Sequence, residues 1–160
     1  MDRRNIVTAA IGLACATPPI SAIAVQRIAA DADRAAAAEA AATERAKVAY
    51  HLSELDKAAF VLGNIHNHYA GMGGPDRVTI ELVVHGPALK AFHRADAASD
   101  IVKRIEELRG LGLHLAACIN TMHAENVTLA DLLPGFTVAE KGGVVRLAQL
   151  QSQGYAYLRP

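Results

Sequence analysis

Cys118 is the residue of this sequence whose type and position could do chemistry. It ends a short, mostly apolar run, residues 113–118, bounded by glycine before it and polar residues after it, as a buried strand would be. Asn120 and Thr121 then favour the start of a helix. A thiol at such a junction lies near free backbone N–H groups and the positive end of a helix dipole, which both favour the thiolate. Cys118 is therefore the candidate reactive group, and the alternative is a small buried side chain that only packs.

Two histidines are candidates for tuning this thiol. His51 and His85 lie near the ends of two other predicted strands, residues 48–52 and 78–84. In a parallel sheet the carboxyl ends of the strands meet at one edge, where the sites of such sheets are found. We therefore expect both imidazoles near Cys118, where they would help to keep the thiol ionised. The alternative for each is a hydrogen-bonded histidine of the core or its rim.

The other histidines do not predict a metal site. His66 and His68 are two residues apart on a predicted helix, so their side chains point to different faces. No HExxH and no paired CxxC occurs, and structural zinc usually needs four well-placed ligands. The glycine-rich residues 71–75 follow a helix and precede a strand, the reverse of a phosphate-binding loop. We expect no metal and no cofactor.

Composition excludes one class of partner and sets the size of the fold. The 160 residues carry 16 Lys and Arg against 16 Asp and Glu, and the formal net charge is zero. No basic patch interleaved with aromatic residues is present, so we expect no nucleic-acid binding. The length suffices for one domain with a substantial core.

The N-terminus predicts an export signal, residues 1–24. Paired arginines at positions 3 and 4 precede a mildly apolar stretch, and residues 22–24 form a small-x-small cleavage site. The arginine pair resembles a twin-arginine signal. We expect a periplasmic protein cleaved near Ala24 with no stable membrane span in its mature form; a Sec route and a leader kept as an anchor remain open. The mature chain would keep Cys118 and lose Cys15, so a disulfide within it is not expected.

The remaining chain divides into an Ala-rich helical linker, residues 25–46, and a globular α/β domain, residues 47–160. Five predicted strands alternate with helices: residues 48–52, 78–84, 113–118, 136–139 and 155–158. This alternation favours a mostly parallel five-stranded sheet with helices on both faces, a three-layer sandwich.

Four segments of the domain resemble the DsrE/DsrF-like family. They are VAYHLS at 48–53, LVVHGP at 82–87, LAACINT at 115–121 and GVVRLAQLQSQGYAY at 143–157. The resemblance spans roughly residues 47–158. It implies a compact α/β domain, assembly into trimers or hexamers, and, in some members, a cysteine that carries sulfur as a persulfide. Cys118, placed after the third strand, looks like that cysteine, and Asn120 and Thr121 like the loop that presents it.

Together these features predict a periplasmic sulfur-handling protein, a sulfurtransferase-like carrier. Cys118 as a thiolate would attack a sulfane sulfur, hold it as a persulfide and pass it to an acceptor thiol. The expected partners are further copies of the chain and a donor or acceptor, either a protein or a small sulfur compound. The alternative is a non-catalytic oligomeric binding subunit of a sulfur-oxidation or redox complex, in which Cys118 only packs.

Overall fold

The computed structural model describes residues 45–160 together with residues 27, 31 and 33–35. The predicted export signal and most of the predicted linker lie outside these residues, so the domain boundaries stay a prediction. Residues 27, 31 and 33–35 are helical and exposed. The sheet lies in the unit Thr43–Pro160.

This unit alternates strands and helices along residues 45–160. Its strands are β1 Ala46–Leu52, β2 Val78–Val84, β3 His114–Cys118, β4 Phe136–Ala139 and β5 Ala156–Leu158. Its α-helices are α1 Ala58–Gly71, α2 Ser99–Gly110, α3 Ile119–Glu125 and α4 Gly143–Ser152. Short 3-10 helices span Leu55–Lys57, Gly86–Phe92 and Leu129–Asp131. No helix in the described part of the chain is both long and apolar enough to cross a membrane.

The five strands form one parallel sheet in the order β4-β3-β2-β1-β5. The chain runs strand by strand from β1 to the β4 edge, and α4 then carries it back across the sheet to β5 at the opposite edge. The predicted five-stranded parallel α/β fold is confirmed. β5 therefore brings the C-terminal residues beside β1.

Residues alternate between the two faces of the sheet along each strand. The cores on these two faces differ in size. The larger core unites one face with α1, α2 and α3; its strand members include Tyr50, Leu82 and Leu115. The smaller core lies under α4 and consists of Ala49, Val83, Ala116, Leu147 and Leu150. Helices therefore cover both faces, as predicted. Two of the three sheet residues under α4 are alanines, so this helix can lie close to the strands.

Candidate functional site

The three principal candidates lie on the α4 face at the carboxyl edge of the sheet. His51, His85 and Cys118 end or follow β1, β2 and β3, which are neighbours in the sheet. Alternation assigns their face, because the residue two positions before each candidate packs under α4, namely Ala49, Val83 and Ala116. The structure thus brings together three residues that are distant in the sequence.

The sulfur of Cys118 is surrounded by hydrogen-bond donors although only 6% of the residue is exposed. Burial raises the pKa of the thiol, but the backbone N–H groups of Gly143, Thr121 and Asn120 and the Thr121 hydroxyl face the sulfur and lower it. The net result is a pKa below the ordinary value for cysteine. The Gly86 N–H donates to the Thr121 hydroxyl oxygen at 2.9 Å, which leaves the hydroxyl proton free for the sulfur.

Asn120 and Thr121 do not precede the helix as we predicted from their capping preference. Cys118 is itself the N-cap of α3, with an extended backbone, and the two polar residues lie in the first helical turn. N-cap preference is a statistical property that tertiary packing can override. The N-cap position of Cys118 has a chemical consequence, because the unpaired N–H groups of the first helical turn face the N-cap side chain.

The third backbone donor comes from the start of α4, and two glycines allow its approach. A Cβ atom on Gly143 would lie 3.2 Å from the Cys118 Cβ and 3.3 Å from the His85 Cβ. Gly142 has φ +94°, and a Cβ there would lie 2.9 Å from the Asn120 side-chain nitrogen. A side chain at position 143 would press α4 away from the sulfur, whereas at position 142 the positive φ is what favours glycine. Sequence reasoning missed these glycines, although a glycine pair between the predicted strands 136–139 and 155–158 was a signal that could have indicated them.

A hydrogen-bonded chain of three rings adjoins the thiol. The Nε2 atoms of His51 and His85 are 2.5 Å apart, and the rings are stacked with centroids 4.6 Å apart. The Nδ1 atom of His51 is 2.7 Å from the Tyr157 hydroxyl. Each neutral imidazole carries one N–H, so a proton on Nε2 of one histidine requires a bare Nε2 on the other. Tyr157 was absent from our prediction because only the pairing of β5 with β1 brings it here.

Both imidazoles have a lowered pKa, which favours their neutral form. Burial, then His85, then Arg159 lower the pKa of His51 to about 4, and burial followed by Arg159 lowers the pKa of His85. Neither imidazole is among the groups that lower the Cys118 pKa. Their role in ionising the thiol stays a prediction.

The rim of the site is formed by the loop after β1 and the C-terminal tail. Arg159 forms an ion pair with Glu54 and donates to the Ser53 hydroxyl at 3.1 Å. Ser53, Glu54 and Arg159 were not predicted as site residues, because no local sequence pattern links positions 53 and 54 to position 159. In the described part of the chain, no three His, Cys, Asp or Glu side chains are grouped to hold a metal ion.

The fold and site define a parallel α/β protein with a cysteine held between two helix N-termini. A sequence model of the DsrE/DsrF-like family matches residues 24–160, and the chain belongs to that family. No curated protein matches the chain.

Two solved structures are similar. The first is the protein of unknown function MTH1491 from Methanobacterium thermoautotrophicum, at 28% identity and a TM-score of 0.64, over 72% of this chain and 99% of that one. The second is the ychN protein from E. coli, at 15% identity and a TM-score of 0.57, over 73% of this chain and 100% of that one. The second likeness shows the fold alone.

Proposed function

We propose that this protein carries sulfane sulfur as a persulfide on Cys118. Membership of a family associated with sulfur relay supports the class of chemistry. The observation that carries the proposal is the group of N–H and O–H donors facing a sulfur atom that is otherwise buried. Hydrogen bonds to an ionised acceptor are roughly twice as strong as those between neutral groups, so the donors favour thiolate and persulfide anions.

The transfer consists of two displacements at sulfur. In the first, the Cys118 thiolate attacks the sulfane sulfur of thiosulfate; the new S–S bond forms as the old one breaks, leaving the Cys118 persulfide anion and sulfite. In the second, an acceptor thiolate attacks the outer sulfur, the Cys118–sulfur bond breaks, and the acceptor leaves as a persulfide anion while Cys118 returns as thiolate. The charge is conserved in both steps, and no oxidant is needed.

The histidine pair could serve the second displacement, because His85 and Cys118 face the same point of α4: a Cβ on Gly143 would lie 3.3 Å from the His85 Cβ and 3.2 Å from the Cys118 Cβ. A neutral imidazole has a free nitrogen lone pair, so it can take the proton of an incoming thiol, whose ordinary pKa is about 8.5. The contact between His85 and His51, continued to Tyr157, gives that proton further hydrogen-bonding partners. This role belongs to the second displacement and differs from keeping Cys118 ionised.

Intact mass measurement tests carrier chemistry. After incubation of Cys15→Ser protein with thiosulfate or polysulfide, we expect an adduct of about 32 Da that dithiothreitol removes. The matched variant Cys15→Ser/Cys118→Ser should show no adduct. Absence of a Cys118-dependent adduct under both donors would refute the proposal.

The alternative function is a non-catalytic oligomeric subunit, and the 6% exposure of Cys118 favours it. In that case the thiol should react with iodoacetamide only on unfolding, and Cys118→Ala should cost stability alone. In the carrier, folded protein should be alkylated with a midpoint pH below about 8.5. The pH dependence of the alkylation rate therefore separates the two functions.

We further propose a periplasmic location and assembly into trimers or hexamers. The signal-like residues 1–24 support export, and the likeness to an oligomer-forming family supports assembly. The partners would be a donor and an acceptor of sulfane sulfur, protein or small molecule. Light scattering on the purified protein tests assembly, because a monomer of the chain would contradict it.

A further inference from the structure

A buried carboxylate lies under α4 and takes no part in the transfer described above. Glu81, on the central strand β2, is 6% exposed. Its two carboxylate oxygens accept hydrogen bonds from Nε and Nη2 of Arg146, both at 2.6 Å. The bidentate contact fixes direction as well as distance, which a single-point contact would not do.

Neither residue is explained by local structure. A carboxylate on a central strand costs free energy to bury unless it is paired. Arg146 lies in the first turn of α4, where the helix dipole disfavours a cation. Two unfavourable placements that satisfy each other indicate a tertiary role for the pair.

The position of the pair suggests what that role is. Arg146 is three residues after Gly143, so it lies about one turn from the N–H that faces the Cys118 sulfur. The apolar contacts beneath α4 are few, and most of the sheet residues there are alanines. Small apolar contacts constrain sliding and rotation of a helix weakly, whereas a bidentate ion pair constrains both.

We propose that Glu81 and Arg146 are positioning residues that hold the first turn of α4 against the Cys118 sulfur. The inference rests on the proposed function for its importance, but its structural content is independent of sulfur transfer. Loosening the pair should let the α4 N-terminus move away from the sulfur and weaken one of its backbone donors.

The test is the pH dependence of iodoacetamide alkylation in a Cys15→Ser background. Glu81→Gln keeps the size of the side chain, and Arg146 is exposed enough, at 35% of its side chain, to remain solvated. We expect the midpoint pH to rise and the rate at pH 7 to fall by roughly threefold to tenfold, because the Gly143 hydrogen bond is weakened; its complete loss would give tenfold or more. Arg146→Lys keeps the positive charge but loses the bidentate contact, so the midpoint pH should rise less than in Glu81→Gln.

Two controls and a second variant keep the outcome clear. Asp76→Asn removes an exposed ion pair with Arg45, and Ile105→Val loosens the core under the other face; neither should move the midpoint. The double variant Glu81→Gln/Arg146→Gln leaves no buried charge. It is used in place of Glu81→Gln if the single variant does not fold. An unchanged midpoint in a folded pair variant, or an equal shift in Ile105→Val, would overturn the inference. Failure of sulfur loading in the parent protein would refute the carrier function and leave this result standing.

Discussion

At the scale of single residues, the character of Cys118 results from two opposed effects. Burial disfavours the thiolate, whereas three backbone N–H groups and one hydroxyl favour it. Each hydrogen bond to a charged acceptor contributes about 1.5–3 kcal/mol, so several of them can outweigh burial. The Thr121 hydroxyl is the one side-chain donor among them, which makes it the most direct to remove.

Replacing Thr121 with valine should make the thiol less acidic. The change removes the hydroxyl that faces the sulfur and leaves the Gly86 N–H without its acceptor. We expect a stability loss of about 1–3 kcal/mol and a fivefold or greater fall in alkylation rate at pH 7. Thr121→Ser should retain both properties. Thr137→Val removes a hydroxyl that donates to the Leu115 carbonyl at 2.9 Å and serves as the matched control. A wild-type midpoint in Thr121→Val would contradict this account.

Folding stability should fall as His51 becomes protonated. Its pKa is 6.5 in the unfolded chain and about 4 in the folded protein. Between these values the unfolded chain binds more protons, so stability decreases as the pH falls from about 6.5 to about 4. Denaturant unfolding across this range should show a shallower decrease for His51→Gln. Equal slopes for the two proteins would contradict a buried neutral imidazole at this position.

At the scale of elements, the site is a meeting of two helix N-termini around one strand end. α3 begins at the residue after Cys118, whereas α4 arrives from β4 and reaches the same sulfur from the other side. The approach of α4 depends on Gly143, since a Cβ there would lie 3.2 Å from the Cys118 Cβ. The geometry of the thiol is therefore a property of helix packing rather than of the cysteine loop alone.

A side chain at position 143 should displace α4. Gly143→Val should lower stability by about 1–3 kcal/mol, the usual effect of overpacking, and raise the alkylation midpoint. Gly63→Ala, in α1, meets nothing within 4 Å, so it should leave the midpoint unchanged and increase stability slightly. Thermal unfolding and alkylation of both variants provide the comparison. A normal midpoint in folded Gly143→Val would show that the α4 N–H is dispensable.

At the scale of the whole molecule, the return of the chain from β4 to β5 completes the site. β5 pairs with β1, and this pairing puts Tyr157 against His51 and Arg159 near Glu54. The cellular location of the protein depends on a different part of the chain, the predicted N-terminal signal in residues 1–24.

Cell fractionation should find the protein in the periplasm. When the chain is expressed with its native N-terminus in a Gram-negative host, its mass should decrease by that of about the first 24 residues. This length is typical of an export signal. Replacing both paired arginines with lysines should retain the full-length chain in the cytosol if the twin-arginine route is used. Full-length protein in the cytosol of cells expressing the unaltered sequence would contradict export.

Sequence reasoning reached the strands more fully than their surroundings. β2 and β4 match the predicted residues because each is rich in β-branched or aromatic residues and has clear polar or glycine boundaries. Parallel topology was enough to expect His51, His85 and Cys118 at one edge. Tyr157, Arg159 and Gly143 could not be placed, because their neighbours depend on strand order and helix docking, which no local pattern encodes. The Glu81 and Arg146 pair was hidden for the same reason.

The order in which the site is completed has a consequence for biosynthesis. Cys118 precedes Gly143 and Tyr157 in the chain, and those two residues supply part of the site in the finished fold. A chain truncated before α4 would therefore lack the Gly143 N–H donor and the Tyr157 contact to His51. We expect the full set of donors at this cysteine only once the C-terminal segment has docked on the sheet, so the connectivity of the sheet delays the completed thiol site until the fold is finished.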